Sequence, residues 1–550
     1  MTSEIRAAAR RQRWRIAAPV AAAALAGMLA AVSGTGGPRA RADDVPWFQP
    51  GNLVVSTSTY GGQASLFQPG VTQLPPRCTG TNCVTAVADG SYPQVFNNDI
   101  ADGSFGVTSP ISLDQLTPSG QLVNTLSVPS ASGDHMVTSF SSKSELALNL
   151  STNGQDLTFM GYQAEPNQAD VSNSNTPGVV DPTNPVPGTN YRVVAEVNAA
   201  GQIHYTLTNA YSGNNGRAAI LNNTGNVLYT AGNAGNGGNP QPDGVIVGTG
   251  AQLMAPQHRP EANQTPGTTT PLGSFSISQL GDKADKVGKD TNFRGLTIFN
   301  NVVYFTKGSG SNGINTVYFV DTTGTACPGT GVGVPQPGAK LPTSPIAYDP
   351  SLLQSEGVTP YNMCILSGFP TVLARSASST SFPFGIWFAN ANTLYVADEG
   401  TGSASFDPAT GTYSSAAAQT TAGLQKWVFD GTSWKLAYTL SAGLDLGTPY
   451  TVAGYPTGDN PATGLPWSPA TDGLRNITGR INPDGTVTIY AITSTVSGSG
   501  DQGADPNKLV AITDPLSATT PASGESFVTV RSAGYGQVLR GVSFTPGTDS

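Results

Sequence analysis

The sequence predicts an all-β protein built as one six-bladed β-propeller, and three observations point there. Charged residues make up only 11% of the chain, while Gly and Pro number 66 and 42, a composition that suits short strands joined by many turns. One hairpin recurs along the chain. Each end also carries an incomplete unit, and one end supplies what the other lacks.

The chain opens with a basic head (Arg6, Arg10, Arg11, Arg13, Arg15), an Ala-rich apolar stretch from 17 to 32, and Ala40-Arg41-Ala42 in the small-x-small form of a cleavage site. We expect residues 1–42 to be a secretory signal peptide and 43–550 to be a single domain. Arg10-Arg11 leaves the twin-arginine route open beside the general secretory one. Cleavage would take seven arginines and one glutamate from 26 basic and 35 acidic side chains, leaving a formal charge of −15. Such a surface repels nucleic acid and anionic membranes. With no second long apolar run, no membrane span is expected in the mature chain.

The blades follow in order. "GNLVVSTSTY", "ISLDQLTP" and "LVNTLSVP" read as strands two to four of a unit with no first strand. "SELALNLSTNGQDLTFMGYQ" from Ser144 is a hairpin followed by "YRVVAEVNA" and "IHYTLTN". "GRAAILNNTGNVLYTAGNAG" from Gly216 is followed by "GVIVGTG" and "GSFSIS". "RGLTIFNNVVYFT" from Arg294 is followed by "NTVYFVD" and "PTVLARSA". "PFGIWFANANTLYVADEGTG" from Pro383 is followed by "GLQKWVFDG" and "WKLAYTLS". "LRNITGRINPDGTVTIYAITST" from Leu474 is followed by "KLVAITD" and "SFVTVRS". Each hairpin has a turn of Asn, Asp or Gly between runs rich in β-branched and aromatic residues. "LRGVSFTPG" is a lone first strand at the C-terminal end. Pairing it with the N-terminal unit closes a ring and leaves no long free edge. An insertion that conceals a further sheet would make seven blades. The alternating aromatics, including Tyr304, Trp387, Tyr395 and Trp427, are blade core.

Strands in a meander alternate direction, so loops from first to second strand and from third to fourth share one face. Loops from second to third strand and from blade to blade share the other. The first-to-second loops are minimal ("NNTG", "NN", "NAN", "NPDG"), whereas 61–109, 163–190, 400–422 and the blade-joining 442–473 are long. Long insertions on a rigid scaffold usually carry recognition. The exception is 322–370, a third-to-fourth loop on the plain face. Arg217, Arg294, Arg475 and Arg540 each head a first strand, at the elaborated face beside the central channel. Lys143 lies just before the corresponding strand of a fifth unit, and Pro383-Phe384 heads the sixth. A ring of guanidinium groups could hold a carboxylate, sulfate or phosphate. The plainer alternative is that each arginine satisfies loop carbonyls or pairs with a carboxylate, Asp398 and Glu399 being natural partners.

Chemistry is otherwise scarce. Cys78, Cys83, Cys327 and Cys364 suggest two disulfides, most simply Cys78–Cys83 and Cys327–Cys364. His135, His204 and His258 are scattered, and no zinc, P-loop or Ser-nucleophile motif occurs. "NNDIADGS" at 97–104 brings the oxygens of Asp99 and Asp102 close together and admits calcium, without the full spaced pattern. Asp398, with Glu399 beside it, is the best catalytic candidate, as a general base or a calcium ligand at the channel mouth.

"NLVVSTSTY", "SLDQLTPSGQLVNTLSVP", "RGLTIFNNVVYF", "TLYVADEG", "GLQKWVFDGTSWKLAYTL" and "LRGVSF" resemble, in that order, a widespread group of exported bacterial β-propeller proteins of unassigned function. Their usual pattern runs "NLVVYRVG…LDEYTPSG…LYVADD…GIQKWSF…RGVAF". "LYVAD" also resembles the core of NHL-type propeller repeats, which serve binding modules and lactonase-like hydrolases alike. Gln115 stands where the group's pattern has an acid, and the resemblance transfers no catalytic residue. The expected function is an extracellular binding or scaffold propeller for a polymer, glycan or protein partner, with no cofactor beyond the calcium already admitted. The alternative is a calcium-dependent hydrolase of lactonase or phosphoesterase type.

Overall fold

The computed structural model describes residues 46–548, except 63, 77, 79–82, 178–185, 187, 234–249, 258–272, 275–291, 309–313, 328–330, 344–362 and 375–380. The expected signal peptide and His258 lie outside the described residues.

Six sheets form a ring, a six-bladed β-propeller. Blade one pairs Gln537–Phe544 with Leu53–Thr59, then adds Ile111–Leu116 and Leu122–Ser127. Val55 stands opposite Val542 and Leu53 opposite Phe544, antiparallel, so the C-terminal strand closes the ring as expected. Blade two comprises Asn149–Leu150, Asp156–Tyr162, Arg192–Asn198 and Ile203–Thr208. Blade three comprises Gly216–Asn222, Val227–Gly232, Ala251–Met254 and Gly273–Ser274. Blade four comprises Leu296–Phe299, Val302–Lys307, Thr316–Val320 and Met363–Leu366. Blade five comprises Pro383–Asn390, Thr393–Asp398, Gly423–Phe429 and Trp434–Leu440. Blade six comprises Ala470–Ile481, Thr486–Val496, Lys508–Pro515 and Val528–Ser532. Among the described residues there is no seventh blade.

The core lies between the sheets. Along Leu53–Thr59, Val54 packs with Leu148, Leu157 and Phe159 of blade two, whereas Leu53 and Val55 pack with Tyr490, Ile492 and Leu509 of blade six. A blade is apolar on both faces because it has a neighbour on each. Phe299 stacks on Phe388 across blades four and five, with centroids 4.7 Å apart. The tight turns follow their residues. Asn300 and Asn301 both have positive φ (47° and 61°), as a two-residue type I′ hairpin turn requires.

Two strand assignments shift. The fourth strand of blade four is Met363–Leu366, not "PTVLARSA", in which, among the described residues, only Leu373 makes an isolated bridge, to Ile314. A short parallel strand, Val332–Gly333, is added outside it. The third strand of blade three is Ala251–Met254, just beyond "GVIVGTG", most of which lies outside the described residues. Both disulfides form as expected, Cys78–Cys83 and Cys327–Cys364. The second ties the plain-face insertion to the fourth strand of blade four.

Candidate functional site

The first strands meet in a repeating register that defines one head residue per blade. A Cβ on Gly295 would lie 2.1 Å from the carbonyl of Phe384 in the next blade. One on Gly385 would lie 2.5 Å from that of Arg475, and one on Gly541 would lie 2.2 Å from that of Leu146. Asn476 Nδ2 donates to the Arg540 carbonyl at 2.8 Å, and Ala147 N donates to the Arg217 carbonyl at 3.3 Å. The six heads are therefore Arg294, Phe384, Arg475, Arg540, Leu146 and Arg217. Neighbouring arginine heads act on one another electrostatically, and Phe384 stands beside Arg294. In blade two the head is Leu146 rather than Lys143, whose Nζ instead donates to Gln502 Oε1 at 3.4 Å.

All four guanidinium groups are buried. Arg217 donates to Phe293 O at 2.7 Å, to Asn215 Oδ1 at 3.1 Å and to Asn292 Oδ1. Arg475 Nε donates to Glu399 Oε2 at 3.3 Å, and Arg294 Nη2 lies 3.9 Å from Glu399 Oε1. Arg294 also stacks over Phe384, 5.6 Å from its centroid. Arg540, 3% exposed, donates through Nη2 to Phe140 O and to Gly503 O at 3.1 Å, while its Nε and Nη1 are buried without partners. Burial, and next the charge of Arg475, push Arg540 down to about 9. Burial, and next Arg294, push Arg217 well below its ordinary value. These mutual effects place the arginines within electrostatic reach of one another.

Of the two acids expected to pair with the arginines, only Glu399 does so. Glu399 supplies the ion pairs. Asp398, 0% exposed, instead accepts from Ser381 Oγ at 2.9 Å, Phe382 N at 2.8 Å, Gly400 N at 3.0 Å and Gln425 Nε2 at 3.1 Å. Its carboxyl is pushed up to about 7 by burial. Glu145, missed in the sequence, is buried beside the Leu146 head and accepts from Thr138 Oγ1, Ser139 N and Tyr162 OH. The pattern "SELAL" gave no sign of it, because its partners come from two other strands, Thr138–Ser139 and Asp156–Tyr162. Asp99 sits in the short helix Asn98–Ala101, pushed up to about 7 by burial and then by Asp501, with Lys143 opposing. Asp102 follows that helix and turns toward Ser104.

Two cavities are lined by the insertions of the elaborated face. One, of about 310 Å³, lies between the long loops of blades one and two, against Phe67, Pro76, Asn167, Val171 and Asn190. The other, of about 460 Å³, lies on blade six against Tyr450, Val452, Asn507 and Lys508. There the Lys508 ammonium sits 3.9 Å over the Tyr450 ring, a cation–π contact.

No protein-family model matches the chain, and no curated protein matches it. Among solved structures it is similar to NanB with Optactamide (8% identity, TM-score 0.31, 72% of this chain and 61% of that one). It is similar to the acylaminoacyl peptidase of Pyrococcus horikoshii (6% identity, TM-score 0.23, 77% and 41%). It is also similar to the hemagglutinin-neuraminidase ectodomain of parainfluenza virus 5 (11% identity, TM-score 0.29, 74% and 75%). The chain thus spans less than two thirds of the length of the first two. Likenesses of this order carry no argument about activity.

Proposed function

We propose that this chain is a secreted binding propeller whose elaborated face recognises an acidic group on an extracellular polymer, glycan or protein. The observation that carries the proposal is the convergence of four head arginines beneath the face that bears the long insertions and both cavities. Glu399 pairs with two of them, and Glu145, Asp472 and Asp501 act on the cluster from nearby, so the feature is a local concentration of guanidinium groups on an otherwise acidic protein. Such a focus attracts anions. The two disulfides suit an oxidising compartment. Among the described residues no helix is long and apolar enough to cross a membrane.

The geometry supports a binder over the hydrolase alternative. Asp398 is sealed, and its oxygens take four donors from the chain itself. That is the setting of a carboxylate that organises a blade edge, not of a base open to substrate.

An array of acidic and neutral polysaccharides and secreted proteins tests this. Binding should favour acidic ligands, weaken with salt and fall at least tenfold in Arg540→Gln and Lys508→Ala. It should be unchanged in Asp484→Ala on a plain-face turn. Loss of binding in the plain-face variant, or equal binding by all variants, would reject the assignment of the elaborated face. Turnover of lactones or phosphate esters that is lost in Asp398→Asn would restore the hydrolase.

A further inference from the structure

Three segments meet around the cavity of about 460 Å³ on blade six. Residues 450–453 come from the blade-joining insertion, Lys508 opens the third strand, and Thr529 and Ser532 stand on the fourth. Lys508 and Ser532 are register partners in an antiparallel pair, so their side chains leave the sheet on the same face. Leu509 and Arg531 are the next pair and face the other way. There Arg531 Nη2 donates to Asp114 Oδ2 of blade one at 3.3 Å. Strand alternation thus sends one cation of this sheet edge to a carboxylate and the other to the cavity.

Lys508 is half-buried, and its ammonium lies 3.9 Å from the centroid of the Tyr450 ring. That ring is anchored through its OH, which donates to Pro506 O at 2.8 Å. Among the described residues no acid forms an ion pair with Lys508, and Asp445, the acid that acts on it, is exposed. The side chains of Thr451, Thr529 and Ser532 are exposed, and among the described residues their hydroxyls take no partner. Asn507 is spent on the scaffold instead: its amide bonds Thr493 O, Leu539 O and Leu539 N, which ties blade six to the closing strand. Tyr535 adjoins the cavity just beyond Gly534 and is 47% exposed. An edge contact to the Tyr92 ring, centroids 4.8 Å apart, and a bond from its OH to Tyr92 O at 2.7 Å fix its position. Gly454 meets it from the insertion, where a Cβ would stand 3.6 Å from Tyr535 Cβ.

We propose that this cavity binds a carboxylated pyranose, a uronic acid residue of an extracellular polysaccharide. The Lys508 ammonium takes the carboxylate, the three free hydroxyls take those of the sugar, and Tyr535 stacks on its apolar face. One unpaired ammonium, a compact point charge, balances the single charge of a carboxylate and leaves the second charge of a phosphate ester unmet. Ser and Thr hydroxyls both donate and accept, as those of a sugar do. Partial burial strengthens the pull of the ammonium on an anion relative to water. The cavity volume falls within the range of about 300–1,000 Å³ that small ligands occupy. This rests on the reading of the elaborated face as a binding face, and it adds a site and a ligand class that the arginine heads do not supply.

The test is calorimetric titration of the purified protein with tetramers of galacturonate, glucuronate and mannuronate. The methyl ester of the bound tetramer, a neutral galactose tetramer and a sulfated one serve as comparisons. At least one uronate tetramer should bind, one per chain, and the comparisons should bind more weakly by about tenfold or more, the loss of a hydrogen bond to a charged group. Lys508→Met should cost the same factor, and Tyr535→Ala and Ser532→Ala should each weaken binding severalfold. A Tm close to the parent's shows that each variant folds. Asp430→Asn, on a plain-face turn of blade five, should bind as the parent does. Absence of uronate binding overturns the proposal, and so does equal binding of the ester or the sulfated tetramer, or parent-like binding by Lys508→Met. If acidic polysaccharides still bind the parent in any of those cases, the broader reading of the face stands and this site alone is rejected. If none binds, both fall.

Discussion

Arg475 and Glu399 form a buried ion pair across the boundary of blades five and six, Nε to Oε2 at 3.3 Å. The same carboxylate lies 3.9 Å from Arg294, so one anion serves two blade heads. Replacing Glu399 by Ala leaves two buried guanidinium groups facing each other. Removing one partner of a buried pair typically costs about 3–5 kcal/mol, and denaturant unfolding should show a loss of that order. Glu399→Gln should lose less, since its amide oxygen still accepts.

A second buried pair locks blades five and six near their outer strands. Lys426 Nζ lies 2.8 Å from Asp514 Oδ2, both side chains fully buried, and Tyr438 donates to Asp514 Oδ1 at 2.5 Å. Lys426→Met or Asp514→Leu alone strands a charge. The double variant removes both charges, so it should lose less stability than either single change, read as a positive coupling in a double-mutant cycle. Strict additivity would show that the pair does not couple the blades.

The head register makes three glycines equivalent. Gly295, Gly385 and Gly541 each face a carbonyl of the next blade at 2.1–2.5 Å from where a Cβ would stand. Alanine at any of them must push two blades apart, at about 1–3 kcal/mol each. Gly103, with open space around it and no positive φ, should accept alanine within about 0.5 kcal/mol. Equal losses at all four positions would mean that the close approach is not the cause.

Asp505 gives the protein a pH dependence of defined sign. It is buried, accepts from Tyr455 OH at 3.0 Å and Ser497 Oγ at 2.9 Å, and is pushed up to about 7 by burial. The folded state therefore holds a proton that the unfolded state has released between about pH 4 and 7. On this group's account stability is greatest below about pH 4, falls as pH rises to about 7 and is flat above that. Asp398 and Asp472, pushed up to about 7 and about 6 by burial, act in the same sense. Thermal scans should show Tm falling across this window, and Asp505→Asn should make the fall shallower. An unchanged profile would exclude Asp505 as a contributor.

What the sequence made legible is what local pattern encodes. The hairpins could be read from their turn residues and alternating runs, and the closing strand from its lack of a successor. The arginine heads could be read because Arg294 and Arg540 open the same Arg-Gly motif and Arg475 a similar one. The head of blade two escaped because Leu146 adopts φ 61° and no motif signals that. The fourth strand of blade four escaped because "MCIL" is four residues long, while the better-patterned "PTVLARSA" lies just after it. The partition between Glu399, which pairs, and Asp398, which organises its own blade, depends on which way adjacent strand-end residues point.

The pairing of Val55 with Val542 also sets an order of events during synthesis. The inner edge of the first sheet emerges from the ribosome almost a whole chain ahead of the strand that covers it. At roughly 5–20 residues per second that interval is about 25–100 s. Throughout it, the backbone of Leu53–Thr59 offers an open template to any passing strand, so a holding chaperone has most to protect at this one edge.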